Sequence, residues 1–191
     1  MHGWSGQLLV APAWMTDPSF GATVVLLLEH EAQGAFGLVL NRASDTRVAE
    51  LWARASEGRC AVDAPVFVGG PVAGPLFALH DRPADGESTP VAGLFLTSDT
   101  EALARLVDEP PGRLRLFAGY AGWSAGQLEA ELQDAAWLTT PATCDDAFAA
   151  PGEAGWRAAL ARATPAPQPG LGGLGGWAPR AQDGAPEPGV N

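Results

Sequence analysis

Short apolar runs alternate with turn-forming residues along the first 163 residues, and the spacing of the apolar positions changes repeatedly between that of strands and that of helices. Two aliphatic runs, at residues 23–30 and 35–41, are separated by a short polar connection and predict a β-hairpin. Similar runs predict further strands at residues 7–11, 65–68, 76–80, 91–97, 113–120 and 136–140. The pattern therefore predicts a sheet that is rich in hairpins.

Helical spacing of apolar side chains indicates helices between and after these strands. They are predicted at residues 45–56, 98–109, 124–133 and 153–163. Ser98 with Glu101, and Ser124 with Gln127, have the spacing of capping boxes, so each serine is predicted to be a helix N-cap. Strands come first and are then mixed with helices, which predicts an α+β fold with a mixed, largely antiparallel sheet.

The composition changes at residue 164. Residues 164–191 are dominated by proline and glycine. Such a segment buries too little apolar surface to offset the entropy lost on ordering. We therefore predict one domain over residues 1–163, followed by a disordered Pro/Gly-rich tail over residues 164–191.

The formal net charge is −11, and every basic residue is an arginine. Nucleic acids and anionic membranes bind proteins through cationic surfaces, so direct nucleic-acid binding is not expected of so acidic a chain. The arginines are scattered, and only Arg113 and Arg115 are close together. On a strand these two side chains would share one face.

The two cysteines, Cys60 and Cys144, lie in neither a CxxC motif nor a Cys/His cluster, so no metal or other cofactor is expected. The longest uninterrupted apolar run, residues 24–28, is far shorter than the ~20 residues of a membrane helix. The first residues lack the basic region of a signal peptide. These features predict a cytoplasmic protein with free thiols and no membrane contact.

A more specific likeness is carried by seven segments that occur in a fixed order. They are GQLLVAPAWMTDPSF (6–20), VVLLLEHEAQGAFGLVLNR (24–42), VFVGGPV (66–72), LFALH (76–80), LFLTSD (94–99), GYAGWSAGQLEAEL (119–132) and AWLTTPA (136–142). With these segments at this spacing, the chain resembles the YqgE/AlgH-like family across nearly all of residues 6–162. The resemblance implies a bifurcated sheet folded into a pseudo-barrel and flanked by helices. It implies no enzyme: a role in regulating exopolysaccharide production is attached to some members by name, without an agreed molecular mechanism.

Two glycine-containing segments are candidate ligand sites. The turn Gly69-Gly70-Pro71 could present backbone N–H groups to an anion, although it lacks the Lys and Ser/Thr of a phosphate loop. The alternative is a tight turn in which glycine supplies a positive φ. In the segment 119–123, Tyr120 and Trp123 could stack on a ligand beside a helix N-terminus, or could instead fix the connection to the core.

Polar residues at strand ends are the other candidates. His80 could form a titrating cluster with Asp99, and Arg42 could bind a phosphate or carboxylate or pair with a neighbouring acid. Ser124 lies in a literal G-x-S-x-G motif, but no histidine follows His80, which excludes the chain order of an α/β-hydrolase triad. No catalytic residue is therefore predicted.

Two functions of different classes remain open. The first is a non-enzymatic binding or transcription-regulatory-pathway module with an unknown protein partner or a small anionic metabolite as its ligand. The alternative is an enzyme or sensor that binds a small anionic metabolite near the Gly69-Gly70-Pro71 turn and the segment 119–123. The sequence does not determine the oligomeric state.

Overall fold

The computed structural model of the chain describes residues 3–55 and 58–166. The strands are β1 (Gln7–Val10), β2 (Val24–Glu31), β3 (Gly34–Val39), β4 (Ala43–Arg47), β5 (Pro65–Val68), β6 (Val72–His80), β7 (Ser88–Val91), β8 (Leu94–Thr97), β9 (Leu114–Ser124), β10 (Leu138–Pro141) and β11 (Thr164–Pro165). The helices are α1 (Val48–Ala55), α2 (Thr100–Asp108), α3 (Gln127–Gln133) and α4 (Gly152–Leu160), with short 3-10 helices at Pro83–Asp85 and Cys144–Phe148.

Strand β9 is the branch point of the sheet. Its first half pairs antiparallel with β6 and parallel with β5, whereas its last residues pair antiparallel with β3. From β3 the sheet continues through β2, β1 and β10 to β11, and from β6 it continues through β8 to β7. The predicted α+β class and the mixed, largely antiparallel, bifurcated sheet are confirmed. The path of strands has open ends at β11 and β7, so the sheet is not closed into a barrel.

Both faces of the long sheet are buried, which explains the uninterrupted apolar run in β2. Neighbouring residues of that strand point to opposite faces: Leu26 joins a cluster with Ala159 of α4, and Val25 joins a cluster with Leu128 of α3. A third cluster lies under α1 and α2, where Trp52 and Leu106 are buried together. The helices therefore cover the sheet from both sides.

The prediction for the segment around residues 119–124 is wrong. The sequence indicated a connection followed by a helix that begins at Ser124, whereas these residues form the second half of β9. Ala121 and Trp123 are buried there, and the segment pairs with β3. Tertiary pairing thus outweighs the low strand propensity of the glycines. Helix α3 begins at Gln127 with Gly126 at its N-cap position, so Ser124 is not the cap.

Other predicted boundaries also differ from the structure. Residues 43–47 form β4 instead of the first turn of a helix, because the Ser44 hydroxyl donates to the Val66 carbonyl (2.8 Å) and the segment pairs with β5. The single strand predicted at residues 91–97 is a β7–β8 hairpin. The N-cap of α2 is Asp99 rather than Ser98.

The predicted domain boundary falls beside the last strand. Thr164 pairs with Thr139 of β10, and Ala166 is buried. The rest of the predicted tail, residues 167–191, lies outside the described residues, so its disorder stays a prediction. Among the described helices, none has the length and apolar character that crossing a membrane requires.

Candidate functional site

The Gly69-Gly70 turn presses against β9. The Gly69 N–H donates to the Ala118 carbonyl (2.9 Å), and the Gly69 carbonyl accepts from the Val39 N–H (2.7 Å). A Cβ atom on Gly70 would lie only 2.1 Å from the carbonyl carbon of Tyr120. The N–H of Gly69, which the sequence left open as an anion ligand, is therefore already used within the sheet, as expected of the alternative, a tight turn.

Tyr120 and Trp123 lie on opposite faces of the sheet, so they do not form one ligand platform. The half-buried Tyr120 ring packs edge-on against Phe36, with 5.4 Å between the ring centroids. Trp123 is buried, and its Nε1–H donates to Glu131 (2.9 Å). Only Tyr120 lies beside Gly70, and the contacts of Trp123 are those of a core residue.

His80 and Asp99 have separate partners. His80 is fully buried, its Nδ1 accepts from the Arg82 N–H (3.3 Å), and its ring stacks on Phe95. Its Nε2 has no hydrogen-bond partner among the described residues. Asp99 caps α2, where its Oδ1 accepts from the Ala102 N–H (2.8 Å). The cluster that these two side chains could have formed is not present, and each has a structural role instead.

Two acids near this end of the sheet were missed by sequence reasoning. Asp85 is buried and accepts from Arg105 (2.8 Å) and Arg82 (3.3 Å). Burial alone would raise the pKa of Asp85, but these hydrogen bonds outweigh it, and the pKa lies below its ordinary value. Hydrogen bonds from the backbone of Ser98, and from Thr97 and Asp99, lower the pKa of Glu87 despite partial burial. Both acids fix the loop that follows β6.

A mildly acidic pH is expected to destabilise the fold through His80. Burial lowers the pKa of His80 below its ordinary 6.5, and the nearby Asp85 and Asp81 offset this only in part. The unfolded chain therefore binds the proton more readily, so the contribution of His80 is present above about pH 6.5 and is lost as the pH falls below it. The His80→Asn variant, whose amide oxygen can replace Nδ1 as the acceptor, should have a flatter dependence.

Urea unfolding at pH 5.0–8.0 measures this effect above the range in which Asp85 and Glu87 titrate. Equal slopes for the wild-type and His80→Asn proteins would contradict the prediction.

Arg42 fastens the turn before β2. Its guanidinium donates to the carbonyls of Ser19 (2.6 Å), Gly21 (3.3 Å) and Pro18 (3.4 Å). The expected ion pair with a neighbouring acid is not formed among the described residues. The contacts of Arg42 are therefore those of a residue that holds a turn.

Arg115 was not among the predicted site residues, yet it is a partly buried cation whose hydrogen bonds go to backbone carbonyls. Its Nη1 donates to the Leu40 carbonyl (3.1 Å) and its Nη2 to the Ala149 carbonyl (3.0 Å). The guanidinium carbon lies 4.1 Å from the centroid of the Phe67 ring. No carboxylate in the described part of the chain forms an ion pair with it. Burial lowers the pKa of Arg115 to about 10, so the side chain stays charged at neutral pH.

Arg115 lines a cleft of about 280 Å³ next to β5, β9 and the segment before α4. The other lining residues are all apolar or small: Val48, Val62, Ala64, Pro65, Phe67, Leu114, Leu116 and Pro151. Ligand sites in proteins combine such apolar walls with a small number of placed polar groups. The arrangement can hold an anion at the guanidinium and an apolar group beside it.

Arg113 lies on the same side of the sheet as Arg115 but has a counter-ion. It donates to Asp145 (2.6 Å) and sits over the Phe148 ring. The alternating Arg-Leu-Arg-Leu pattern was therefore a signal for a shared face. The pattern did not show which of the two arginines has a carboxylate partner, because Asp145 lies more than thirty positions away in the chain.

Two further clefts are less suited to an anion. One of about 250 Å³ is lined by Glu29 and Glu31, which would repel it. Another of about 430 Å³, beside Trp4 and Thr164, has no ionisable side chain in its lining. Within the described ranges, no three His, Cys, Asp or Glu side chains are grouped so that they could hold a metal ion.

Comparison with known proteins agrees with the sequence resemblance. The sequence model of the AlgH-like family matches residues 8–168. The UPF0301 protein CT0663 of Chlorobaculum tepidum is 39% identical over 149 residues, covering 75% of this chain and 78% of that protein. The UPF0301 protein Bpet0561 of Bordetella petrii is 40% identical over 163 residues, covering 82% of this chain and 81% of that protein.

Two solved structures share the fold. The solution structure of the AlgH protein from Pseudomonas aeruginosa aligns with a TM-score of 0.70 at 37% identity, over 84% of this chain and 88% of that one. The crystal structure of protein DIP2367 from Corynebacterium diphtheriae aligns with a TM-score of 0.66 at 27% identity, over 87% of this chain and 90% of that one. Given the family match over most of its length, the chain belongs to the AlgH-like family.

Proposed function

We propose that this protein is a non-enzymatic binding module whose ligand is a small anion held by Arg115. The observation that supports the proposal is a partly buried guanidinium, without a carboxylate partner among the described residues, in the wall of an apolar cleft. The sequence suggested an anionic metabolite near Gly69 and Tyr120; the proposal places it instead beside β5 and β9, the two strands that lead to those residues. If the protein acts in a regulatory pathway, binding of the anion in this cleft would be the event that changes its activity in that pathway.

Electrostatics supports an anionic ligand. Arg115 is partly buried, and removing a charge from water costs free energy unless a partner compensates for it. The two carbonyl acceptors and the Phe67 ring offset only part of this cost. An anion that enters the cleft would replace lost hydration with a charge-assisted hydrogen bond, which is roughly twice as strong as a neutral one.

The lining of the cleft favours binding over catalysis. Arg115 is the ionisable group among the lining residues, and the others offer neither a nucleophile nor a general base. Arg115 itself stays protonated at neutral pH, so it can orient an anion but cannot take up a proton. The alternative of an enzyme would need catalytic groups that the cleft lining does not contain.

A thermal-shift screen of the full chain against small carboxylates, phosphate esters and sulfonates tests the proposal. A ligand at 100 times its Kd should add about 2.7 kcal/mol of stability, which is a readable rise in melting temperature. The Arg115→Met variant should lose this rise. The Arg113→Gln variant removes the charge two positions away on the same face and should retain it. The proposal is wrong if no compound stabilises the wild-type protein, or if Arg115→Met keeps the full shift.

A further inference from the structure

We infer that the ligand of the Arg115 cleft is a monocarboxylate with a short apolar body; this inference rests on the proposed function above. The carboxylate would bind the guanidinium, and the body would lie along Val62, Leu116 and Phe67. Charge, hydrogen-bond geometry and the shape of the cleft each support this class of ligand.

The charge balance favours one negative charge. Arg115 is the ionisable side chain in the lining, so it can neutralise one charge inside the cleft. Asp63 lies between the lining residues Val62 and Ala64, and it is exposed and already paired with Arg47. A phosphate monoester carries about −1.5 to −2 charges at neutral pH. Its additional charge would meet apolar walls, with an acidic side chain nearby and a net charge of −11 on the whole chain.

The unused donors of Arg115 match a carboxylate. Its Nη1 and Nη2 each donate to one backbone carbonyl, of Leu40 and Ala149 respectively. The Nε–H and one N–H on each terminal nitrogen have no acceptor among the described residues. A carboxylate can accept two parallel N–H bonds from a guanidinium. Contact with the Phe67 ring restricts the plane of the guanidinium and so prepares this geometry.

The walls of the cleft set the size of the body. A volume of about 280 Å³ lies just below the range of about 300–1,000 Å³ that is usual for small-molecule sites. Valine, leucine, proline and phenylalanine side chains offer it apolar contact without hydrogen-bonding partners. A short aliphatic or single-ring aromatic acid suits this space, whereas a sugar or nucleotide would leave polar groups unpaired.

Isothermal titration of the full chain with butanoate, hexanoate, hexan-1-ol and hexyl phosphate tests the inference. Each added methylene should tighten binding about fourfold, so hexanoate should bind more than tenfold tighter than butanoate. Hexan-1-ol and hexyl phosphate should each bind at least about tenfold more weakly than hexanoate.

Variants test the contributions of the carboxylate group and of the apolar body of the ligand separately. The Arg115→Lys change keeps the charge but removes the planar donors, and it should weaken hexanoate binding about tenfold. The Ala64→Leu change fills the cleft without altering Arg115 and should abolish the gain from butanoate to hexanoate. The Arg113→Gln control should bind as the wild type does. The melting temperature of each variant serves as the control for folding, and a variant that does not fold is left out of the comparison.

The outcomes distinguish this inference from the proposed function. Arg115-dependent binding of hexyl phosphate that is tighter than that of hexanoate would overturn the carboxylate and leave the anion-binding function in place. Binding of hexanoate that does not change in Arg115→Lys and Ala64→Leu would place the ligand elsewhere and overturn both. If none of the four compounds binds while another anion in the thermal-shift screen does, the inference alone fails.

Discussion

Replacing Gly70 by alanine is expected to destabilise the fold by about 4 kcal/mol or more, which is at the upper end for a single substitution. The new Cβ would lie 2.1 Å from the carbonyl carbon of Tyr120 and 2.3 Å from the amide nitrogen of Ala121. These are backbone atoms of a paired strand, so they cannot rotate away. The φ of Gly70 is 157°, a backbone conformation that L-residues with a side chain rarely adopt.

Gly93→Ala is the matched control for this change. Gly93 also has a positive φ, of 77°, but a Cβ atom added there would meet nothing within 4 Å. Backbone strain alone should cost this variant about 1–2 kcal/mol. Urea unfolding followed by tryptophan fluorescence measures both variants. If Gly70→Ala loses no more stability than Gly93→Ala, close approach of the turn to β9 is not what requires glycine at position 70.

Replacing Asn41 by alanine is expected to cost about 3 kcal/mol, because one buried side chain satisfies three backbone groups. Its Oδ1 accepts from the Val24 N–H (2.9 Å). Its Nδ2 donates to the carbonyls of Ala22 (2.9 Å) and Gly152 (3.1 Å). The side chain thus joins the end of β3 to the turn before β2 and to the first residue of α4.

Ser44→Ala provides the comparison for Asn41→Ala. The Ser44 hydroxyl donates to Val66 and accepts from the Thr46 N–H, in a partly exposed position where water can replace both contacts. Its loss should cost about 1 kcal/mol. Both variants are measured by urea unfolding, with the slope of the transition as a check that the unfolded state is unchanged. A loss of under about 1 kcal/mol in Asn41→Ala would show that the three backbone groups find other partners.

Asn41 and Gly70 also lie next to elements that form the candidate site. The Arg115 guanidinium bonds to the carbonyl of Leu40, directly before Asn41, and Gly70 follows the strand that carries Phe67. Rigid elements therefore hold both the cation and the aromatic ring that contacts it. A prepared site of this kind loses little conformational entropy when a small ligand binds.

The residues of the candidate site could not be predicted from the sequence, for specific physical reasons. Trp123 and His80 were candidate ligand-binding residues because aromatic and titrating side chains often bind ligands, but here both are buried in the core. Arg115 was inconspicuous because an exposed arginine and a partly buried one look the same in a sequence. Asp145 pairs with Arg113, whereas no acid in the described part of the chain pairs with Arg115. Such pairs join distant parts of the chain, so the sequence does not show which arginine has one.

The sequence by itself determined the family, through the resemblance carried by its seven segments. It also determined the α+β class and most strands, because apolar periodicity records which side chains face a core. The apolar run in β2 and the alternation of arginine and leucine at the start of β9 were sufficient to predict these strands. Only the tertiary structure decided that residues 119–124 extend β9, that residues 43–47 pair with β5, and that Arg115 lacks a counter-ion among the described residues. Each of these depends on contacts between segments far apart in the chain, and local propensity contains no information about such contacts.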